Sequence, residues 1–253
     1  MDPGRRPLVL LAMVAIAAAV EAAWLAPAAL MDSRIARATR GALRLGDAEG
    51  TLWRGRGVIA AANARIPVSW HTELRPLVQG EMRIHVRSGI GADSPRGIFV
   101  LRANRIMVQD ADITMPASVI AAALGDGAAG SVDGEVNGIT GEFDLTPGMN
   151  RGEARLAWRA ARIAGIGLDA PLDLGEVQTT VIASGAAMSG PVTNDGGSVA
   201  LRGEWALQEK DGLSLVLRVA PRRADQVDLT RWLSAIGTPE GDGWRISWRV
   251  PPR

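Results

Sequence analysis

From Gly46 onward the chain alternates apolar and polar residues in short runs separated by Gly, Asp, Asn or Pro. A period of two sends successive side chains to opposite faces of a strand, so these runs are read as half-buried β-strands. GTLWRGRGVIAAA is one alternating run, through Leu52 and Arg54 and on to Val58 and Ala60. ARIPVSWH places Ile66, Val68 and Trp70 on one face. EMRIHVRS is the clearest strand, with Met82, Ile84 and Val86 set against Arg83, His85 and Arg87. GIFVLRANRIMVQDADITM holds two more, near Ile98–Arg102 and Arg105–Ile113, with a turn around Asn104.

Two stretches break this rhythm. PASVIAAAL, Pro116–Leu124, is Ala-rich, opens on Pro and stops before Gly125. VDLTRWLSAI, Val227–Ile236, stops before Gly237. Both are predicted short helices. After Gly125 the pattern predicts short strands between glycine turns, with Val132, Val136 and Ile139 among turn residues. GEARLAWRAARI, EVQTTVIASG, GSVALRGEWALQ, GLSLVLRVA and GWRISWRV then continue the strands.

Strands followed by one short helix occur twice, over 46–125 and 152–250. Two similar halves are one reading, and a glycine-punctuated meander without a repeat is the other. The short connections leave no room for parallel crossovers. The predicted fold is mainly β: an N-terminal transmembrane helix, then an antiparallel, curved or sandwich-like β region with two short helices.

The first residues follow a different pattern. Arg5 and Arg6 precede an uncharged apolar run, Pro7–Val20; Glu21 interrupts it, and Ala22–Met31 resumes it. A positive end before an apolar run orients a segment with its N-terminus in the cytoplasm. The uncharged run is shorter than the roughly 20 residues that span a bilayer, and its Ala-rich end fits a cleaved signal peptide. If Glu21 reaches the interface, the helix extends to Trp24 in the interfacial aromatic belt and ends near Pro27. The chain therefore divides into an anchor over 1–31, a basic juxtamembrane linker over 32–45 and an exported β-rich region over 46–253. In the linker, Asp32 or Ser33 is placed to cap a short helix.

Composition narrows the chemistry. Lys and Arg total 28 against 27 Asp and Glu, a net charge of +1, which argues against binding nucleic acid through phosphate charge. There is no cysteine, hence no disulfide and no thiolate chemistry. The two histidines, His71 and His85, fall on predicted strands and are too few for a zinc site. Asp110, Asp112, Asp126 and Asp133 read as turn formers rather than calcium ligands. No nucleophile elbow and no phosphate-cradling loop of the P-loop type occurs, so the chain is read as non-enzymatic, with no cofactor and no metal. Of the 8 Trp, Trp53, Trp70, Trp158, Trp205 and Trp248 fall on predicted strands and suit sheet packing or an apolar groove.

The segment Leu43–Val86 resembles protein N of the bacterial type II secretion system. The shared features are a G-T-[LV]-W-x-G motif after an anchor, here Gly50, Thr51, Leu52, Trp53, Arg54 and Gly55. Next comes a strand ending in Trp, Leu and Pro, here Trp70, Leu74 and Pro76 with a looser Trp-to-Leu spacing, and then a strand opened by Gly80. The resemblance implies a non-enzymatic accessory subunit in the inner membrane, single-pass, with its C-terminal domain in the periplasm. The implied partners are the other inner-membrane secretion subunits and inner-membrane lipids, with no nucleic acid and no metal. It favours a retained anchor over a cleaved signal. Gly50 and Gly55 would then serve close backbone approach or a bulge, a structural role. The alternative is a periplasmic lipid-binding or lipid-transfer β-groove, drawn from the one-sided strands and the tryptophans.

Overall fold

The computed structural model describes residues 25–38, 41, 43–61, 64–89, 95–124, 131–146, 148–208, 210–223 and 225–250. Arg5, Arg6, the apolar run Pro7–Val20, Trp24 and Asp126 lie outside them. Among the described residues no helix is long and apolar enough to cross a membrane.

One antiparallel sheet of 14 strands carries the fold. Its first six strands are β1 (Arg44–Gly50), β2 (Arg54–Ala61), β3 (Ala64–Glu73), β4 (Glu81–Ser88), β5 (Arg96–Arg102) and β6 (Arg105–Pro116). Six more follow: β7 (Ser131–Asp144), β8 (Asn150–Ala164), β9 (Leu172–Gly185), β10 (Ala187–Asp195), β11 (Val199–Gln208) and β12 (Gly212–Pro221). The last two are β13 (Thr238–Glu240) and β14 (Gly243–Val250). Each strand pairs with its neighbours in sequence, except that β14 pairs with β12 and leaves short β13 at the edge. The connections are short, as an up-and-down meander requires.

Helices α1 (Leu30–Ala38), α2 (Ala117–Leu124) and α3 (Val227–Ile236) accompany the sheet. The last two match the predicted helices, although Pro116 closes β6 rather than opening α2. Helix α1 begins before Asp32, so Asp32 is not its cap. Instead Asp32 holds the next strand: Arg44 donates to its carboxylate at 2.6 Å and the Leu45 N–H at 2.8 Å.

Two predicted features are corrected. GTLWRGRGVIAAA is not one strand; a turn at Thr51–Trp53 separates β1 from β2, and Trp53 lies in that turn. The glycine-rich stretch after Gly130 is not several short strands but one long strand, β7. Two of its glycines stand close against β8. Gly138 stands opposite Leu156, which fills the space of a Cβ, and Gly134 makes a bulge beside Trp158. The Trp158 indole donates to the Asp133 carbonyl at 2.9 Å.

Cross-strand partners share a face, so register traces one apolar face through the sheet. It runs from Trp70 and Val86 through Phe99, Val108 and Phe143 to Ala183, Trp205, Leu215 and Leu217. The other face carries Arg54, His71, Arg87, Arg155, Arg202 and Arg218. Three buried clusters lie along the apolar side. Ala28, Leu45, Val68 and Trp70 pack near α1, with Ile35 against them. Val108, Ala111, Phe143, Val181 and Ala183 form the middle cluster. Leu229 and Leu233 of α3 pack on Val199, Val219 and Leu174. In α3 these two leucines stand four apart, on one stripe.

The sheet curls. Strands β9 and β11, second neighbours across β10, approach within 8 Å, closer than the roughly 9.6 Å of a flat sheet. Helix α2 touches β6 and β7 and also reaches β2.

Candidate functional site

The residues of the G-T-L-W-x-G run and of the Trp-Leu-Pro segment converge at one end of β1–β4. Gly50 closes β1 with φ +91°, a backbone state that side chains with a Cβ rarely adopt, and a Cβ there would collide with the Arg54 carbonyl. The next residue fixes the turn. Thr51 Oγ1 accepts from the N–H groups of Trp53 and Arg54 at 3.2 Å, and the Thr51 N–H donates to the Arg54 carbonyl at 2.9 Å. A threonine hydroxyl thereby replaces ladder partners at the break between the strands.

Gly55 and Trp70 are cross-strand partners. A Cβ on Gly55 would run into the six-membered ring of Trp70. Trp70 is 6% exposed, and its indole donates to the Thr51 carbonyl at 3.2 Å. The glycine gives the ring its seat, and the ring ties β3 to the β1–β2 turn. The Thr72 N–H adds a bond to the Trp53 carbonyl at 2.7 Å.

The same turn grips the chain that emerges from the N-terminal segment. The Ala28 N–H donates to the Gly50 carbonyl at 3.1 Å, and the Leu52 N–H donates to Ala26 at 3.0 Å. Pro27 and Thr51 form an antiparallel bridge between these two bonds. Ala28 is 1% exposed, so this clasp is buried. Sequence reasoning missed Ala26–Ala28 because nothing in a run of small apolar residues announces a strand partner.

Leu74 precedes a 3₁₀ turn, Arg75–Gln79, that has Pro76 in its first positions and a left-handed Gly80 at its end. Pro76 does not line the depression described next; its role is to shape this turn. Leu74, Leu25, Trp53 and Trp70 line an open depression of about 1140 Å³, together with Arg54 and Arg87 from the polar face.

Beyond the clasp, His71 and His85 sit opposite each other on β3 and β4 with rings stacked at 4.4 Å. His85 Nε2 lies 2.6 Å from a Glu73 carboxylate oxygen. Burial pushes the His71 imidazole below its ordinary range, and His85 adds to the shift. Among the described residues no group of three or more His, Asp or Glu side chains is placed to hold a metal ion.

The turns near the clasp are braced by buried carboxylates. Glu81 accepts from Arg83 at 2.5 Å and from Arg102 at 2.6 Å. Asp144 accepts from Arg105 at 2.9 Å and from the Thr146 N–H at 2.9 Å. Hydrogen bonds from these neighbours hold both carboxyls below their usual range: Arg83 and then Arg102 for Glu81, and Thr146 foremost for Asp144.

The family model described as type II secretion system (T2SS), protein N, matches residues 41–247. The chain belongs to the type II secretion system protein N family. The match covers all 14 strands of the sheet except the last residues of β14. No curated protein and no solved structure matches the chain. The run Gly50–Gly55 thus forms the turn that holds Ala26–Ala28 against the sheet.

Proposed function

We propose that this chain is a non-enzymatic accessory subunit of the type II secretion system. Its N-terminal segment is retained in the inner membrane, and its sheet stands in the periplasm for contacts with other inner-membrane subunits. The observation that carries this reading is the clasp. The family motif joins the sheet to the residues that emerge from the apolar N-terminal segment, through Ala26–Leu52 and Ala28–Gly50. A junction of that kind transmits position from an anchor to a folded domain.

Deletion of the gene in its native host tests this. Loss of secreted substrate from the medium, restored by the wild-type chain and not by one lacking residues 1–24, is the expected outcome. Normal secretion in the deletion strain contradicts it.

A second reading, a lipid-binding β-groove, is favoured by one observation. The apolar face is only half covered around Trp205, Leu215 and Leu217, and it ends at Trp248, which is 49% exposed. Mass spectrometry of lipids extracted from the purified chain tests it. Absence of stoichiometric lipid removes that reading and leaves the first intact.

A further inference from the structure

A meander places its connections at two rims. The first rim carries the turns after β1, β3, β5, β7, β9 and β11 and the end of β14. The second carries the connections after β2, β4, β6, β8, β10 and β12. Exposed large apolar side chains concentrate at the first. Leu77, Val78, Ile106, Leu145, Met149 and Leu207 all stand in or beside its turns, with Val78 90% and Met149 57% exposed. On the second rim the described turn residues Ser88–Gly89, 165–171 and Gly196–Ser198 include no exposed large apolar side chain. The second rim's connection after β12 carries two, Val227 at the start of α3 and Ile236 at its end, 60% and 46% exposed.

Cations accompany the apolar turns. Arg75 lies in the 3₁₀ turn, and Arg102 and Arg105 flank the β5–β6 turn. The buried carboxylates of Glu81 and Asp144 hold Arg102 and Arg105 in place while leaving each about half exposed. A rim of apolar tips among fixed guanidinium groups is the surface an anionic bilayer receives.

The chain itself says which surface meets this rim. Leu25 lines the same depression as Leu74 and Trp53, so the N-terminal segment arrives at the first rim. Five residue steps separate Leu25 from Val20, the last residue of the uncharged run. Fully extended, they span at most about 18 Å. With that run in the bilayer, the first rim cannot lie far from the headgroups.

We propose that the first rim is a membrane-contact surface. Its apolar turn side chains sit among the headgroups and upper acyl chains of the leaflet into which the N-terminal segment runs, with Arg75, Arg102 and Arg105 at lipid phosphates. The second rim then points away from the membrane. The proposal rests on the retained-anchor reading and adds to it the orientation of the sheet.

The absence of cysteine makes the test direct. The full chain, carrying Val78→Cys, Met149→Cys or, on the second rim, Asp195→Cys, is labelled with a nitroxide and reconstituted in phosphatidylglycerol–phosphatidylcholine vesicles. Collision with oxygen, which favours lipid, is compared with collision with a water-soluble nickel chelate. The expected result is a several-fold higher oxygen-to-nickel ratio at positions 78 and 149 than at 195. Equal, water-like ratios at all three overturn the proposal while leaving the anchor reading standing. A chain that washes off the vesicles in alkaline carbonate overturns both.

Discussion

Trp70 covers Gly55, its partner across β2 and β3, and from that position its indole reaches the Thr51 carbonyl at 3.2 Å. One side chain therefore requires a glycine on the next strand and closes the turn beyond it. Gly190 is the cross-strand partner of Trp205, but there the Thr180 backbone takes the space of a Cβ, and at Gly134 the Arg159 and Ala160 carbonyls stand nearer than the Trp158 indole. At Gly55 the seat lets the sheet bury a large ring without pushing its strands apart.

Coupling between the two residues follows. Gly55→Ala overpacks the ring and is expected to cost about 1–3 kcal/mol. Trp70→Val alone removes the ring at a cost of about 3–5 kcal/mol, by analogy with large-to-small core changes. Because the smaller side chain removes the collision with the ring, and leaves only the one with the Glu49 carbonyl, the double variant is expected to be less destabilised than the sum. Urea unfolding of the four proteins checks this, and simple additivity would show that ring and glycine do not share space.

Gly50→Ala is expected to destabilise by about 1–3 kcal/mol, since it forces a Cβ into a left-handed backbone state. The distinguishing readout is local. Hydrogen exchange at the Ala28 and Leu52 amides should accelerate well before that of the α3-side core, because both amides bond across the turn that Gly50 closes.

Glu81 supplies a pH dependence. Its carboxyl is held below the ordinary glutamate value of 4.5 by Arg83 and Arg102. A depressed folded value means that the stabilisation is complete above the unfolded value and disappears as pH falls through the folded one. Glu81→Gln should therefore lower the thermal midpoint at pH 7, and the gap from wild type should narrow as pH falls below the ordinary glutamate value of 4.5. A gap that persists unchanged at pH 3 would show that packing, not charge, is what the glutamate supplies.

Leu233 is fully buried in the cluster beneath α3. Leu233→Ala is expected to cost about 2–5 kcal/mol through lost burial and the cavity left behind. Its denaturant midpoint should fall without loss of the clasp, which lies at the other end of the strand order.

Where local pattern and final structure agree, one physical signal dominates. EMRIHVRS was legible as β4 because its alternation is unbroken, and α3 because VDLTRWLSAI breaks the alternation and stops before Gly237. The break at Thr51–Trp53 was hidden because Leu52 and Trp53 look like strand residues. A left-handed Gly50 and the Thr51 hydroxyl decide it. The length of β7 was hidden for the opposite reason: its glycines look like turns, yet Gly138 seats the Leu156 side chain and Gly134 only bulges the strand against β8. Register, the clasp at Ala26–Ala28 and the apolar rim are all properties of distant residues brought together, and no local period encodes them.

The most direct test of the central claim is co-purification of the full chain from the inner-membrane fraction of its native host. After mild cross-linking, mass spectrometry would identify both the chain's N-terminus and its companions. The account predicts an intact N-terminal segment and other subunits of the secretion system in the same complex. A mature chain that begins beyond the apolar run, recovered from the soluble fraction without those subunits, would contradict it.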